Sequence, residues 1–426
     1  MRVLLLLPKQ SYRADDLLAA ATRIGLEVTV ASDRCHVLAE EWREGALPLD
    51  FTKPAEAAAM LVAAVRAAPG AAPIAVLGVD EQTAVIAART SALLGLPHSP
   101  VDALEAAKDK WAMRERLRAA GLPGPWCELL PRDLPPEELE RLASRAVYPC
   151  VVKPRALSGS RGVIRADSPA ELKSALAWLS ALLRSPKVAV RRDPLLETVV
   201  VEEFLPGPEV AVEGLLEAGR LRLLAIFDKP DPLDGPFFEE TLYLTPSRHP
   251  AASQAALAAL AEQAAGALGL TDGPLHAELR LTPGGPRVIE VAGRSIGGLC
   301  GRTLRFGLGV SLEELVLRHA VARGGGPAFA LPEREHAAAG VLMLPIRRAG
   351  IFREVRGQDA ARAVPGVVDL VITARAQEEL VPLPEGGSYL GFAFARGETP
   401  AAVEAALRQA WRELEVVVAP RLEVVA

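Results

Sequence analysis

The chain contains no asparagine, and only eight of its 48 basic residues are lysine: Lys9, Lys53, Lys108, Lys110, Lys153, Lys173, Lys187 and Lys229. Lysine is therefore a scarce choice in this sequence, and where it stands carries information. Cysteine is scarce as well. Cys35, Cys127, Cys150 and Cys300 show no CxxC pair and no metal-ligand spacing, which argues against a disulfide framework or a zinc site and for reduced thiols in a cytoplasmic protein. No stretch approaches the ~20 uninterrupted apolar residues of a membrane span. The apolar run from Val3 to Leu7 is shorter than the ~7 to 15 residues of a signal-peptide core and reads as a first strand. The net charge of -5 gives no attraction to nucleic acid or acidic membranes, so neither is expected as a partner. There is no GxxxxGK[ST], and residues 8 to 13, PKQSYR, lack the GxGxxG that would follow the first strand of a dinucleotide oxidoreductase.

What is present is a packable chain of 426 residues, 50% hydrophobic and 24% charged. It is too long for one core and predicts two to four domains with a cleft between them. Strands at 3 to 7, 27 to 31 and 74 to 79 alternate with helices at 13 to 24 and 55 to 67. That alternation predicts a doubly wound parallel sheet whose strand ends, near Pro8 and Asp80, face a ligand crevice. A helix is expected from near Ala106 to Gly121, another from Ser168 to Leu183, and strands carrying Lys153 and residues 198 to 204. The glycines at 324 to 326 before Pro327 read as a linker to a small terminal α/β segment.

Four constellations carry chemistry. Lys153 ends an apolar run and precedes the thin loop Ser158, Gly159, Ser160, Arg161, Gly162, in which consecutive amides can form an anion nest beside a point charge. Taken alone it is an ordinary turn. Lys110, or its neighbour Lys108, stands at a helix start, where exposed N–H groups favour phosphate. The strand VVVEEFLPGPE runs into Glu202, Glu203, Phe204 and Leu205, offering backbone donors and acceptors beside an apolar wall to an adenine. Glu209 beyond its turn has a carboxylate that suits ribose hydroxyls.

The fourth constellation is residues 275 to 294, LHAELRLTPGGPRVIEVAGR. His276, Glu278 and Arg280 share one face of its first strand, and a three-residue hairpin loop of Pro283, Gly284 and Gly285 sets Glu278 opposite Glu290. Like charges so placed destabilise a sheet, so a cation is expected between them. Two carboxylates with a phosphate nearby suit Mg2+, whereas a solvated charged hairpin is the alternative. Arg294, followed by Ser295, Ile296, Gly297 and Gly298, adds a guanidinium suited to phosphate or carboxylate.

The order Lys110, Lys153 with its glycine loop, Glu202 to Glu209, Glu278, Glu290, Arg294 resembles the ATP-grasp superfamily of carboxylate-amine ligases, over most of the chain. The stretches AIFDKP, GPFFEETLYLTPS, HAELRL and YLGFAFARG are similar to the branch of bacterial L-amino-acid ligases and the carnosine-synthase type. The resemblance implies an α/β chain, α+β in its nucleotide module: a Rossmann-like N-terminal domain at 1–107, a linker and mobile lid at 108–203, the remaining ATP-grasp subdomain with its metal site at 204–327, and an α/β domain at 328–426. It implies ATP and Mg2+, or Mn2+ in its place. Lys110, Lys153, Ser158, Gly159, Ser160 and Gly162 would meet phosphates, Glu202 to Leu205 the adenine, Glu209 the ribose, and Glu278 and Glu290 the metal. Lys229, Phe238, Glu240, His276, Arg294, Gly297 and Gly298 would line the substrate region, with Glu240 on an amino group. Arg294 and Lys153 would act in an acyl-phosphate ligation of amino acids, and a homodimer is implied.

One departure stands out. Many family members carry an asparagine metal ligand two residues after the second glutamate, where this chain has Ala292; the resemblance then implies either one metal ion less tightly held or a substitute ligand in His276 or water. That gap also admits a catalytically impaired nucleotide-binding regulator, and a non-amino-acid carboxylate is a further alternative substrate.

Overall fold

The computed structural model describes residues 1–9, 11–33, 46–68, 70 and 72–421; Cys35 lies outside them. The first strand, Arg2–Leu6, is flanked on both sides by parallel partners, Glu27–Ser32 and Ala75–Gly78, and Ala46–Pro48 extends the sheet beyond the former. Helices cover both faces of such a sheet, which is why Val3 to Leu6 is a continuous apolar run with no exposure in place of an alternating one. Residue Gly78 shows how tightly the next helix follows: a Cβ there would lie 2.2 Å from the carbonyl carbon of Thr83. That helix, Glu81–Leu94, starts in a capping box between Asp80 and Thr83, which holds the strand end at the mouth of the crevice.

The single helix expected from Ala106 to Gly121 is two helices, Val101–Lys108 and Lys110–Ala119. Asp109 between them is extended, and its carboxylate accepts the N–H groups of Trp111 at 3.0 Å and Ala112 at 3.3 Å. Arg155 holds the same carboxylate at 2.6 Å. An aspartate capping a new first turn interrupts a pattern that periodicity reads as unbroken.

Four antiparallel strands follow in the order Cys127–Pro131, Thr198–Glu203, Cys150–Pro154, Ile164–Ala166. Their apolar face packs under the helices Pro136–Arg145 and Pro169–Arg184 through Leu142, Val152, Leu172, Leu179, Val199 and Val201. Because side chains alternate along a strand, burying Cys150 and Val152 turns Val151 and Lys153 to the opposite face.

The central sheet has eight antiparallel strands in the order Gly285–Ala292, Gly273–Thr282, Glu209–Glu217, Arg220–Asp228, Leu242–Thr245, Ala338–Leu344, Gly391–Gly397, Val367–Ile372. Helix Ala251–Leu268 covers one face of its first half, packing Leu257, Ala261 and Leu268 on Val212, Leu275, Ala277 and Leu279. His276, Glu278 and Arg280 are thereby left on the other face, as the alternation in the sequence predicts. Strands from beyond residue 328 complete this sheet, so the terminal segment shares its core with what precedes it. Residues 324 to 326 are also more than a linker: a Cβ on Gly324 would stand 2.0 Å from the Ile74 carbonyl oxygen, so this turn is pressed against the N-terminal domain. Among the described residues, no helix is long and apolar enough to cross a membrane.

Candidate active site

A cavity of about 440 Å³ opens where the N-terminal sheet, the four-stranded sheet and the central sheet meet. Pro8 and Asp80 line it, as expected of the parallel strand ends. The loop residues Ser158, Gly159 and Ser160 reach it, and Gly162 does not. A Cβ on Gly162 would fall 2.9 Å from Leu179, so this glycine faces the helix Pro169–Arg184 and lets the loop lie flat on it.

Two lysines enter from different elements. Lys110, in the first turn after Asp109, places Nζ 2.8 Å from the Leu157 carbonyl oxygen and 3.5 Å from Glu290. Lys108 turns the other way to pair with Asp193 at 3.0 Å and does not line the cavity, which resolves the choice between the neighbours. Lys153 contacts Glu202 directly. Glu202 also receives Arg114 through Nε at 3.0 Å and Nη2 at 3.2 Å. Burial opposes charge on Glu202, but Arg114 and then Lys153 outweigh it and bring its carboxyl down to about 2. Lys153 is pulled below the usual ammonium range by burial, against the attraction of Glu202 and with added repulsion from Arg114 and Lys110. A cation crowded by other cations is one that an arriving phosphate relieves.

The hairpin delivers the expected pairing by an unexpected route. Its loop is two residues, Pro283 and Gly284, with Thr282 opposite Gly285. That register alone would miss Glu290 by one position. A bulge at Ile289 restores it, so Glu278 stands opposite Glu290. Arg114 fixes the bulge by donating to the carbonyls of Val288 at 2.7 Å and Ile289 at 3.0 Å. The cation expected between the two carboxylates is split in two: Glu290 faces Lys110, and Glu278 faces Lys229 at 3.2 Å.

Lys229 does not line the cavity. It lies beneath a layer of acids, with Nζ 2.7 Å from Glu209, 2.5 Å from Glu240 and 3.2 Å from Glu278. Those three carboxylates are also a group whose oxygen atoms lie within 4.8 Å of one another. Burial disfavours the ammonium, but Glu209, Glu240 and Glu278 together hold it well above its ordinary range. One ammonium cannot neutralise three carboxylates. Burial, with Glu278 and Glu209 as like charges, pushes the Glu240 carboxyl up, while Lys229 and His276 overcome burial to keep Glu278 ionised far below its usual value. Glu209, expected free for a ribose, is held by Arg280 at 3.0 Å and by Lys229.

His276 has both ring nitrogens engaged: Nδ1 against Glu213, and Nε2 at 3.3 Å from Glu278. Burial favours the neutral ring, but Glu213 and then Glu278 raise it to about 9. Both ring nitrogens of His276 are thus directed at carboxylates within the acidic layer. Ala292 sits directly across from His276 in the ladder, fully buried. Glu278 and Glu290 remain a donor set of hard, ionisable oxygens, with Lys110 3.5 Å from Glu290, and would fit Mg2+ held partly through substrate oxygens and water.

The neighbouring wall is aromatic. Phe204 and Phe238 lie 6.3 Å apart, and Arg165 and Arg280 cover Phe204 at 4.4 Å and 4.8 Å. Phe204 N–H is engaged by the Pro149 carbonyl at 2.9 Å, and the Leu205 carbonyl accepts from Arg280 at 2.8 Å. Glu203 and Leu205 line the cavity beside them.

Arg294 reaches back to the N-terminal domain. Nε and Nη2 donate to Glu81 at 2.8 Å and 2.5 Å, and Nη1 to the Ser295 carbonyl at 3.0 Å. Of a guanidinium's five N–H groups, two are left for a ligand. Arg13 adds a second tie, donating to Ser295 Oγ at 2.7 Å and pairing with Glu313 at 3.6 Å. Glu81, Arg13 and Arg114 escaped sequence reading, since each acts through partners far along the chain. For Glu81 the signal that could have found it is the Asp80–Thr83 capping pattern that starts its helix.

Above the cavity, Gly162 N–H donates to the Pro384 carbonyl at 2.8 Å and Arg161 to the Glu385 carbonyl at 2.7 Å, while Trp178 donates to the Glu385 carboxylate at 3.0 Å. The loop after Lys153 is thus closed down on a segment that also sends Tyr389 into the cavity.

Residues 146–303 match the ATP-grasp domain family, and residues 342–419 match the L-amino acid ligase C-terminal domain 2. The chain is 34% identical over 217 residues to a D-alanine–D-alanine ligase of Aromatoleum aromaticum, covering 50% of this chain and 64% of the relative. It is 31% identical over 195 residues to the dapdiamide A synthase of Enterobacter agglomerans, covering 45% and 43%. These matches span less than two thirds of either relative's own length. Over its whole length the fold superimposes on the crystal structure of an L-amino acid ligase from Bacillus licheniformis with a TM-score of 0.80 and 26% identity, covering 98% of this chain and 99% of that one.

Proposed function

Because the chain belongs to the ATP-grasp carbon–nitrogen ligases, we propose that it joins the carboxylate of one amino acid to the amine of another through an acyl phosphate, releasing ADP and phosphate. The observation that carries this reading is the convergence of Lys110, Lys153, Glu278 and Glu290 on one cavity from a helix, a lid strand and a hairpin. Phosphoryl transfer needs positioning and charge neutralisation more than covalent help, and those four residues supply both. Mg2+ held by Glu278 and Glu290 would offset charge on the phosphate oxygens. Phe204, Phe238 and the backbone near Leu205 would hold the adenine, with Glu209 at the ribose.

Arg294, with two N–H groups to spare, stands ready for the substrate carboxylate and the charge that develops on it. Glu240 is the carboxylate that Lys229 leaves least satisfied, and a substrate ammonium would provide the missing cation. The loop Ser158 to Gly162 lies over the site as a lid, which keeps water from the acyl phosphate.

The same reading divides the chain at 107, 203 and 327, with residues 328–426 completing the shared sheet, and places the protein in the cytoplasm as a homodimer, which light scattering on the purified protein tests. The central test is Mg2+-dependent ADP release over a matrix of amino acid pairs, with products identified by mass spectrometry. ADP release that needs two amino acids and yields their dipeptide is expected. ATP binding with no ADP from any pair would overturn the proposal.

A further inference from the structure

The lid loop is gripped from the far end of the chain. Arg161 Nε donates to the Glu385 carbonyl at 2.7 Å, Gly162 N–H to the Pro384 carbonyl at 2.8 Å, and Trp178 Nε1 to the Glu385 carboxylate at 3.0 Å. Contact continues along the loop, since a Cβ on Gly159 would lie 3.3 Å from the Gly387 carbonyl oxygen and one on Gly387 would lie 3.5 Å from the Arg161 Cβ. Lys187, just beyond the helix that carries Trp178, adds an ion pair with Glu379 at 2.7 Å. Gly387 also lines the cavity, so the surface that meets the loop is part of the wall of the site.

That surface is built independently of the lid. The short strand Glu379–Leu380 pairs with Gly350–Arg356, which pairs in turn with Glu415–Ala419. The chain then reverses in a turn closed by Gly386 N–H on the Pro382 carbonyl at 2.8 Å, where a Cβ on Gly386 would fall 1.8 Å from the Val381 carbonyl oxygen. The loop facing it is conformationally demanding. Gly159 and Gly162 have φ of +66° and +75°, and Ser160 has +54°, a left-handed value that a side chain keeps only where its surroundings over-determine it. A second attachment, Arg165 N–H to the Pro236 carbonyl at 3.0 Å, holds the lid strand Ile164–Ala166. It lies past the loop, so the position of the tip is decided by residues 384 to 387.

Resting on the ligase reading above, we propose that residues 384 to 387 are the dock on which the lid loop closes, and that Glu385 is a positioning residue whose bond from Trp178 keeps water off the acyl phosphate. The competing fate of that intermediate is hydrolysis. A water oxygen bonds to the acyl carbon, the bond from that carbon to the phosphate oxygen breaks, and phosphate leaves with the electron pair. The water protons pass to phosphate and solvent, the amino acid is returned, and ADP has formed with no amide. A loop fastened at its tip bars that route, whereas an amine already bound beneath it is unaffected. Glu385 acts through the loop alone: its exposed carboxylate is directed at Trp178 and does not line the cavity.

The test pairs a structural readout with a chemical one on the full-length protein. Hydrogen exchange of a peptide covering residues 158–163 reports whether the Gly162 amide is held, in the free protein and with Mg2+ and a non-hydrolysable ATP analogue. ADP and dipeptide counted in the same reaction report the coupling. Glu385→Ala and Trp178→Phe each remove one partner of the bond, and the second keeps an aromatic ring in place. Each is expected to speed exchange at 158–163 about tenfold, with exchange elsewhere unchanged, and to raise ADP per dipeptide from parity to about three or more. Glu385→Gln keeps an oxygen that accepts from Trp178 and should match the wild type in both readouts, a rescue that a general loss of stability would not give. Unchanged exchange in either Glu385→Ala or Trp178→Phe, or faster exchange with ADP and dipeptide still at parity, would overturn the dock and leave the ligase reading intact. A wild type that yields no dipeptide from any amino acid pair would overturn the ligase reading and the water-exclusion role with it, while exchange at 158–163 would still decide whether residues 384 to 387 hold the loop.

Discussion

Replacing Glu202 by glutamine is the sharpest test of how the Lys153 end of the site is held together. The side chain is 4% exposed and joins Lys153 of the lid strand to Arg114 of the helix Lys110–Ala119. The fall of its carboxyl from 4.5 to about 2 corresponds to roughly 3 kcal/mol of stability at neutral pH, an order-of-magnitude figure that matches the ~3 to 5 kcal/mol typical of breaking a buried ion pair from one side. Lys153 points the opposite way, since burial and neighbouring cations lower it. The carboxylate is the better gauge of the network because it faces two cations, whereas Lys153 is also repelled by two. The sign follows from a depressed acid: the contribution is complete above about pH 4.5 and disappears as pH falls toward 2. Urea unfolding of the wild type and Glu202→Gln should therefore differ by about 3 kcal/mol at pH 7, and the gap should close through the window from pH 4.5 to 2. A difference below ~1 kcal/mol at pH 7, or one that stays constant down to pH 3, would refute the argument that this charge is held by Arg114 and Lys153.

Other outcomes follow from the same geometry. Gly207→Ala places a Cβ 2.1 Å from the Leu281 carbonyl oxygen at a φ of +106°, so a loss of about 1 to 3 kcal/mol is expected, seen as a lower Tm in differential scanning calorimetry. Glu290→Gln should raise the Mg2+ concentration for half-maximal ADP release by tenfold or more, and an unchanged requirement would remove Glu290 from the metal site. Lys110→Met should raise KM for ATP at least tenfold with the fold intact by circular dichroism, whereas Lys108→Met, which only frees Asp193, should leave KM within twofold.

The opposed glutamates were legible because alternation and a short loop fix side-chain facing, yet the loop length read from the sequence was wrong by one residue. A bulge at Ile289 cancelled that error, and bulges leave little trace in hydropathy because they are set by what grips the extra carbonyl, here Arg114. The helix break at Asp109 was hidden for a related reason: the apolar period continues across it, and the carboxylate that ends one helix and starts the next is recognisable only once Arg155 is seen holding it. Lys153 and Lys110 stood out by their rarity. Lys229 stood out equally, and its burial under three acids depended on strands brought together from Glu209 to Glu278. Of the cavity-lining residues Tyr12, Tyr243, Cys300, Met343 and Tyr389, only Tyr243 and Tyr389 fall in stretches that stood out in the sequence.

The grip of Pro384 and Glu385 on the loop beyond Lys153 spans 224 residues of sequence between Arg161 and Glu385. During synthesis, a nascent polypeptide emerged only as far as Ile372 would already own its acidic hairpin, Lys110 and Lys153, but nothing to pull the roof shut. Assembly on the ribosome thus leaves the chamber ventilated until its late-arriving clasp appears.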